Sequence, residues 1–208
     1  MVKIAVVDYD MGNLHSACKA LEKAGAIPVV TDQPEQILGA DAVLLPGVGA
    51  FDPAMKHLRD RHLEGAIHQA IASGKPFLGI CLGMQILFDS SAEGAEKGLG
   101  AISGTVQRFQ PEPDITIPHM GWNQLHLTQP DHPIWRDLPT DPFVYFVHSF
   151  YVAPTDSQVN AATVIHGSQT VTAAIAKNNL VAMQFHPEKS STIGLKILEN
   201  FVHWVEQQ

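Results

Sequence analysis

The sequence predicts an α/β fold: a mainly parallel sheet flanked by helices on both faces, with antiparallel strands added in the second half. In the first half, continuous apolar runs that suit strands buried on both faces alternate with segments of helical period, the pattern of a parallel sheet with right-handed crossovers. From about Gly98 to Leu180 the character changes to short β-rich stretches between proline- and asparagine-rich turns, which predicts antiparallel strands in the same domain. At 208 residues the chain suits one sizeable core, so residues 1–208 are expected to form a single domain.

Ile4 to Val7, ending in Asp8, is the first buried strand. Leu14, Cys18 and Leu21 then recur at helical spacing, and Gly25 stops them before a second short run, Ile27 to Val30. Ala42 to Leu45 is the next strand, closed by Pro46-Gly47-Val48-Gly49. Asp52-Pro53 reads as an N-cap with proline at the first helical position, opening a long helical segment to about Ser73. Gly74-Lys75-Pro76 is a turn, Phe77 to Ile80 a strand, and Leu82 to Phe88 has the apolar density of a buried helix. Phe143 to Val147 and Val171 to Ala176 are β-rich, and Leu180 to Phe185 is a further apolar run. Ser190-Ser191 is expected to cap a last helix with Ile193, Ile197, Phe201 and Trp204 on one face.

Composition narrows the function classes. A net charge of -8, with no cluster of Lys and Arg, argues against nucleic acid as a partner. The opening MVKIAVVDYD has neither the apolar length nor the cleavage site of a secretory signal, and no apolar run reaches membrane-spanning length, so no membrane association is expected. Only Cys18 and Cys81 are present, too few for a disulfide framework and too far from CxxC spacing for structural zinc; a reducing, cytoplasmic location fits. The eleven histidines show no HExxH or Cys/His ligand spacing, and neither a metal nor another cofactor is expected.

The chemistry concentrates at Gly79-Ile80-Cys81-Leu82-Gly83-Met84-Gln85, a G-x-C-x-G sequence between a predicted strand and a predicted helix. That is a nucleophile elbow with sulfur in place of oxygen: the sharp turn crowds the neighbouring chain, and glycines relieve it. Cys81 would then sit at a helix N-terminus, where free N–H groups and the dipole favour thiolate. Read alone, the motif fits equally a small core cysteine whose glycines pack a helix on a sheet. A thiol nucleophile needs a base, and His186-Pro187-Glu188 follows an apolar run at a strand end. Side chains two apart in extended chain point the same way, so Glu188 would accept from one imidazole nitrogen of His186 while the other faces Cys81. The backbone N–H of Leu82 lies in the usual place for an oxyanion donor, and Pro46-Gly47-Val48-Gly49, at a strand's C-terminal end, offers a second.

PGVG, GICLGMQ and HPE in this order and spacing resemble the class I, triad-type glutamine amidotransferases along essentially the whole chain. The resemblance implies their flavodoxin-like fold and hydrolysis of glutamine to glutamate and ammonia. VVDYDMGNLHS at the start, PHMGWNQ at 118–124, YFVHSFY at 145–151 and QFHPEKS near the end resemble those members that serve as glutaminase subunit to a separate (β/α)8 barrel cyclase of histidine biosynthesis. By that resemblance the partner is the cyclase, in a heterodimer, and the substrate glutamine. Cys81 forms a γ-glutamyl thioester, His186 is general base and acid, Glu188 orients it, and Val48 and Leu82 supply oxyanion N–H groups. Gln85, His148, Ser149 and Phe150 hold the ends of glutamine, with Gly49 lining the pocket; Asn13, Met120, Trp122 and Asn123 lie at the cyclase interface. Two positions depart from the family pattern: Asp10-Met11, where glycine is common, and Phe150, where tyrosine is frequent.

Other readings keep the same triad for another product, as in the glutaminase of pyridoxal phosphate synthesis or a γ-glutamyl peptidase; the MGWN and HSF segments argue against both. A non-catalytic subunit, holding glutamine or scaffolding a partner, is a reading of a different class. The presence of all three triad residues argues against it.

Overall fold

The computed structural model describes residues 1–208. In chain order the elements are β1 (Lys3–Val7), α1 (Leu14–Lys23), β2 (Ile27–Thr31), α2 (Pro34–Gly39), β3 (Ala42–Leu45), α3 (Phe51–Asp60), α4 (Glu64–Ala72), β4 (Phe77–Ile80), α5 (Leu82–Gln85), β5 (Ser90–Ser91) and β6 (Gly104–Arg108). There follow β7 (His119–Gln124), β8 (His126–Leu127), β9 (Phe143–His148), β10 (Phe150–Pro154), β11 (Asn160–His166), β12 (Gln169–Lys177), β13 (Leu180–Met183) and α6 (Ser191–Glu206).

The main sheet runs β2-β1-β3-β4-β13-β12-β11-β8. Its first five strands are parallel and its last three antiparallel, as expected from the change of character along the chain. The residues of β3 and β13 are all buried, because helices cover both faces and leave no reason for alternation. Leu21 of α1 and Ile197 and Phe201 of α6 pack on one face with Ile4, Val6 and Leu44; Ile37 of α2, Met55 of α3 and Ile67 of α4 pack on the other with Val7 and Val43. Strand β2 is one edge of the sheet, and its Ile27 and Val30 stay exposed. Two smaller sheets, β10-β6-β5 and the β7-β9 pair, complete the second half. No helix is long and apolar enough to cross a membrane.

Four local expectations are corrected. The long helix to Ser73 is two, because His62 turns left-handed at φ 56°, and Leu63 N–H reaches back to Leu58 O at 3.0 Å, which ends α3. Asp52 does not cap α3. Its carboxylate accepts from the Ala95 and Glu96 N–H groups, each at 3.0 Å, which hold it below the ordinary carboxylate range, while Glu93 takes the Phe51 N–H. The helix expected over Leu82–Phe88 is a single turn ending at Gln85. Ser190 does not cap α6 through its side chain: Oγ donates to His186 O (2.7 Å) and accepts from Tyr145 N–H (2.9 Å), tying the segment after β13 to β9.

Candidate active site

The five parallel strands follow the doubly wound order in which the chain reverses direction between β1 and β3, and ligands bind outside the C-terminal strand ends beside that point. The loops leaving β1, β3, β4 and β13 all emerge at that edge. They carry Asn13, Val48 and Gly49, Cys81, and His186 with Glu188.

Cys81 stands at φ 55°, ψ −113°, a conformation that L-residues adopt only under constraint. Its N–H is tied to Met183 O at 2.8 Å. The turn is tight enough that a β-carbon on Gly79 would sit 2.9 Å from that of Ala182, and one on Gly83 would sit 1.9 Å from Leu45 O. Both glycines of G-x-C-x-G are therefore sterically required, as the motif predicts.

His186 and Glu188 are buried beside it, with Nδ1 2.8 Å from Glu188 Oε1. The pairing expected from sequence is present, but for another reason: Pro187–Lys189 is a 3-10 turn, and its curvature rather than an extended chain folds Glu188 back onto the ring. Burial alone would push His186 down; the neighbouring Cys81 thiol and the hydrogen-bonded Glu188 carboxylate outweigh it and lift it to about 9. The ring is thus an imidazolium at neutral pH. Since α5 is one turn long, its macrodipole is small, and the His186 ring is the cationic group beside the sulfur.

The two N–H groups expected to hold an oxyanion are both engaged. Leu82 N–H donates to Gly47 O at 3.3 Å, and Val48 N–H donates to Met11 O at 2.7 Å. Carbonyl and N–H belong to one peptide, Gly47–Val48, so a single rotation of that plane would free the first donor and swing the second toward the cavity. Met11 belongs to the stretch that departs from the family pattern. Its neighbour Asp10 takes the left-handed φ of 64° that explains why glycine is common there, and pairs with Arg61.

A cavity of about 350 Å³ opens on Cys81 and is lined by Val48, Gly49, Gln85, Ser149, Phe150 and His186, among others. His148 lines it too, but its ring is committed inward: Nδ1 bonds Phe150 O (2.8 Å) and Nε2 bonds His119 Nδ1 (3.0 Å). A carbonyl only accepts, so His148 is the Nδ1–H tautomer, its Nε2 accepts, and His119 must carry Nδ1–H. His119 Nε2 then accepts from the Asn123 amide at 3.1 Å. Burial drives His148 down to about 3, with the charges of neighbouring histidines acting the same way and the Phe150 carbonyl opposing; burial and His166 bring His119 to about 4. Imidazole nitrogen NMR should therefore show both as neutral Nδ1–H tautomers at pH 6, while His186 stays cationic until about pH 9. Protonation of either neutral ring above pH 6 would contradict the network.

Of the residues expected at an interface, Met120 and Trp122 on β7 are 60% and 53% exposed, and Trp122 meets Tyr145 edge-on. Asn13 caps α1 through Ser16 N–H, and Asn123 also donates to Ile165 O. These four lie outside the cavity. Sequence reading passed over Lys189, which lines the cavity, and Gln184, which is wholly buried with Nε2 3.7 Å from Cys81 Sγ. A glutamine inside the apolar run Leu180–Phe185 was the available signal. No group of three or more His, Cys, Asp or Glu side chains is arranged to hold a metal ion.

The family model described as Glutamine amidotransferase class-I matches residues 5–204. The chain is 68% identical to imidazole glycerol phosphate synthase subunit HisH of a Cyanothece species, over 99% of this chain and 98% of that one, and 68% identical to the subunit of the same name from Microcystis aeruginosa, over 100% and 98%. Among solved structures, PurLQS from Thermotoga maritima superposes with a TM-score of 0.75 at 21% identity, covering 98% of this chain and 99% of that one. The glutaminase domain of Trypanosoma brucei CTPS with bound acivicin superposes with a TM-score of 0.74 at 16% identity, covering 100% and 95%; at these identities the two carry the fold alone. With its nucleophile elbow, its doubly wound sheet and this match over nearly its whole length, the chain belongs to the class-I glutamine amidotransferase family, among the imidazole glycerol phosphate synthase HisH subunits.

Proposed function

We propose that residues 1–208 act as one glutaminase domain that hydrolyses glutamine and delivers ammonia to a separate cyclase subunit making imidazole glycerol phosphate and an aminoimidazole carboxamide ribotide in histidine biosynthesis, in the cytoplasm. The observation that carries this reading is Cys81, strained and facing a cavity of about 350 Å³, beside the His186–Glu188 pair. The thiolate attacks the side-chain amide carbon, His186 gives its proton to the leaving nitrogen, and ammonia departs from a γ-glutamyl thioester. His186 then takes a proton from water, which attacks the thioester and releases glutamate and thiolate. Glu188 holds the ring with Nδ1–H directed at its carboxylate. Gln85, Ser149 and the backbone at His148 and Phe150 bind the amino-acid end of glutamine beside Gly49.

The engaged N–H groups of Val48 and Leu82 describe a resting state without an oxyanion hole. Losing such donors costs roughly 10²–10³ in rate each, so the chain alone should be slow. In this reading the cyclase docks on Asn13, Met120, Trp122 and Asn123, and docking beside Met11 turns the Gly47–Val48 peptide. The test is glutamate release by the purified chain, alone and mixed with the cyclase subunit carrying imidazole glycerol phosphate. A strong rise in the mixture supports the subunit reading; high activity indifferent to the cyclase would assign the glutaminase to another pathway.

A further inference from the structure

Cys81 has a polar neighbour besides His186, and the direction of every hydrogen bond leading to it follows from one group that can only accept. The Phe150 carbonyl receives Gln85 Nε2 at 3.2 Å and His148 Nδ1 at 2.8 Å. Gln85 must turn its amide nitrogen, not its oxygen, toward that carbonyl. The same nitrogen lies 3.0 Å from the Gln184 side chain, so the Gln184 atom there is Oε1. Gln184 Nε2 is therefore the atom 3.7 Å from Cys81 Sγ. Gln184 is 0% exposed, one residue past the end of β13, with its backbone N–H held by Ala173 O at 2.8 Å. Without the sulfur, its buried amide N–H would have no acceptor, an arrangement native proteins rarely keep.

We propose that Gln184 is a catalytic residue of this amidotransferase, donating an N–H···S hydrogen bond that holds negative charge on Cys81, and that Gln85 fixes its orientation while leaving Gln85 Oε1 free toward the cavity. The inference rests on Cys81 being the nucleophile, as proposed above. Sulfur carries charge twice in the cycle. It is thiolate before its lone pair forms the C–S bond, and it becomes thiolate again when water attacks the thioester carbon and the C–S electron pair returns to sulfur. The thioester sulfur between is neutral. A donor on Sγ thus favours the free thiolate and its departure from the thioester over the covalent intermediate. With α5 only one turn long, Gln184 adds a neutral N–H donor at the sulfur to the charge of the nearby His186 ring.

The test uses the chain with Cys18 replaced by alanine, so that iodoacetamide reports Cys81 alone. Gln184→Met keeps the volume and removes the donor; the midpoint of the pH profile of alkylation should rise by about one unit, and kcat in the cyclase complex should fall about tenfold with KM little changed, one unit being a factor of ten in equilibrium. Gln184→Glu, which sets a carboxylate against the sulfur, should raise the midpoint further; the deciding variant is Gln184→Met, whose midpoint a packing role would leave at the wild-type value. The wild-type chain gives a reading that needs no variant: the Gln184 side-chain amide proton facing sulfur should shift with Cys81 ionisation and move upfield on alkylation. An amide resonance indifferent to the state of Cys81, or folded variants with unchanged midpoints and kcat, would overturn the proposal. If Cys81→Ala is inactive while the Gln184 variants behave as wild type, only this inference fails; if Cys81→Ala keeps its activity, the glutaminase reading fails with it.

Discussion

Cys81→Ala should lower glutamine hydrolysis in the cyclase complex by roughly 10⁴–10⁶-fold, the loss seen when a triad nucleophile is removed. Alanine fits the space of the thiol and inherits the same strained backbone, φ 55° and ψ −113°, so the melting temperature should barely change. What disappears is the covalent step: the remaining groups can bind glutamine but cannot form a thioester. If the cyclase docks on Met120 and Trp122 as proposed, docking should survive, because both lie outside the cavity. Glutamate release within tenfold of wild type by the folded variant would remove Cys81 from the mechanism. Loss of folding along with activity would show instead that the residue is structural.

Gly83→Ala is expected to lower stability strongly. A β-carbon there would lie 1.9 Å from Leu45 O, 2.9 Å from Leu45 C and 3.2 Å from Pro46 C, all backbone atoms that cannot rotate away. Relief requires α5 to move off the end of β3, which separates Leu82 from Gly47 and opens the packed centre of the sheet. Overpacking of this kind costs about 3 kcal/mol or more. Chemical denaturation should show a midpoint lowered accordingly, and activity should fall even where the chain remains folded. Gly65→Ala is the matched control: the position is in α4 with nothing within 4 Å of the added carbon, and the same change should be neutral or stabilising by roughly 0.5–1 kcal/mol. Equal midpoints for the two variants would refute the steric account of the elbow.

The parallel strands were legible because a strand covered on both faces must be apolar throughout, and the sequence writes that as unbroken runs at β1, β3, β4 and β13. Helix limits were less legible. The break at His62 depends on a left-handed residue that is not glycine, and Asp52, which reads as a cap, is drawn away by the N–H groups of Ala95 and Glu96 from more than forty residues on. Glu188 was paired with His186 correctly on an extended-chain argument that does not hold; a tight turn after proline brings the two together. Gln184 was invisible because a lone glutamine in an apolar run has meaning only once the Cys81 and Gln85 side chains stand beside it.

By itself the sequence determined the fold class, the elbow at Cys81 and the family to which the chain belongs, because apolar period, glycine spacing and motif order are properties of neighbours along the chain. Only the tertiary structure decided which donors face which acceptors: that the Gly47–Val48 peptide turns its carbonyl to Leu82 and its N–H to Met11, that His148 spends both ring nitrogens inside the protein, and that the Gln184 amide nitrogen faces sulfur. All but the His148–Phe150 bond join groups far apart in sequence, and each has a direction set by partners that only folding supplies.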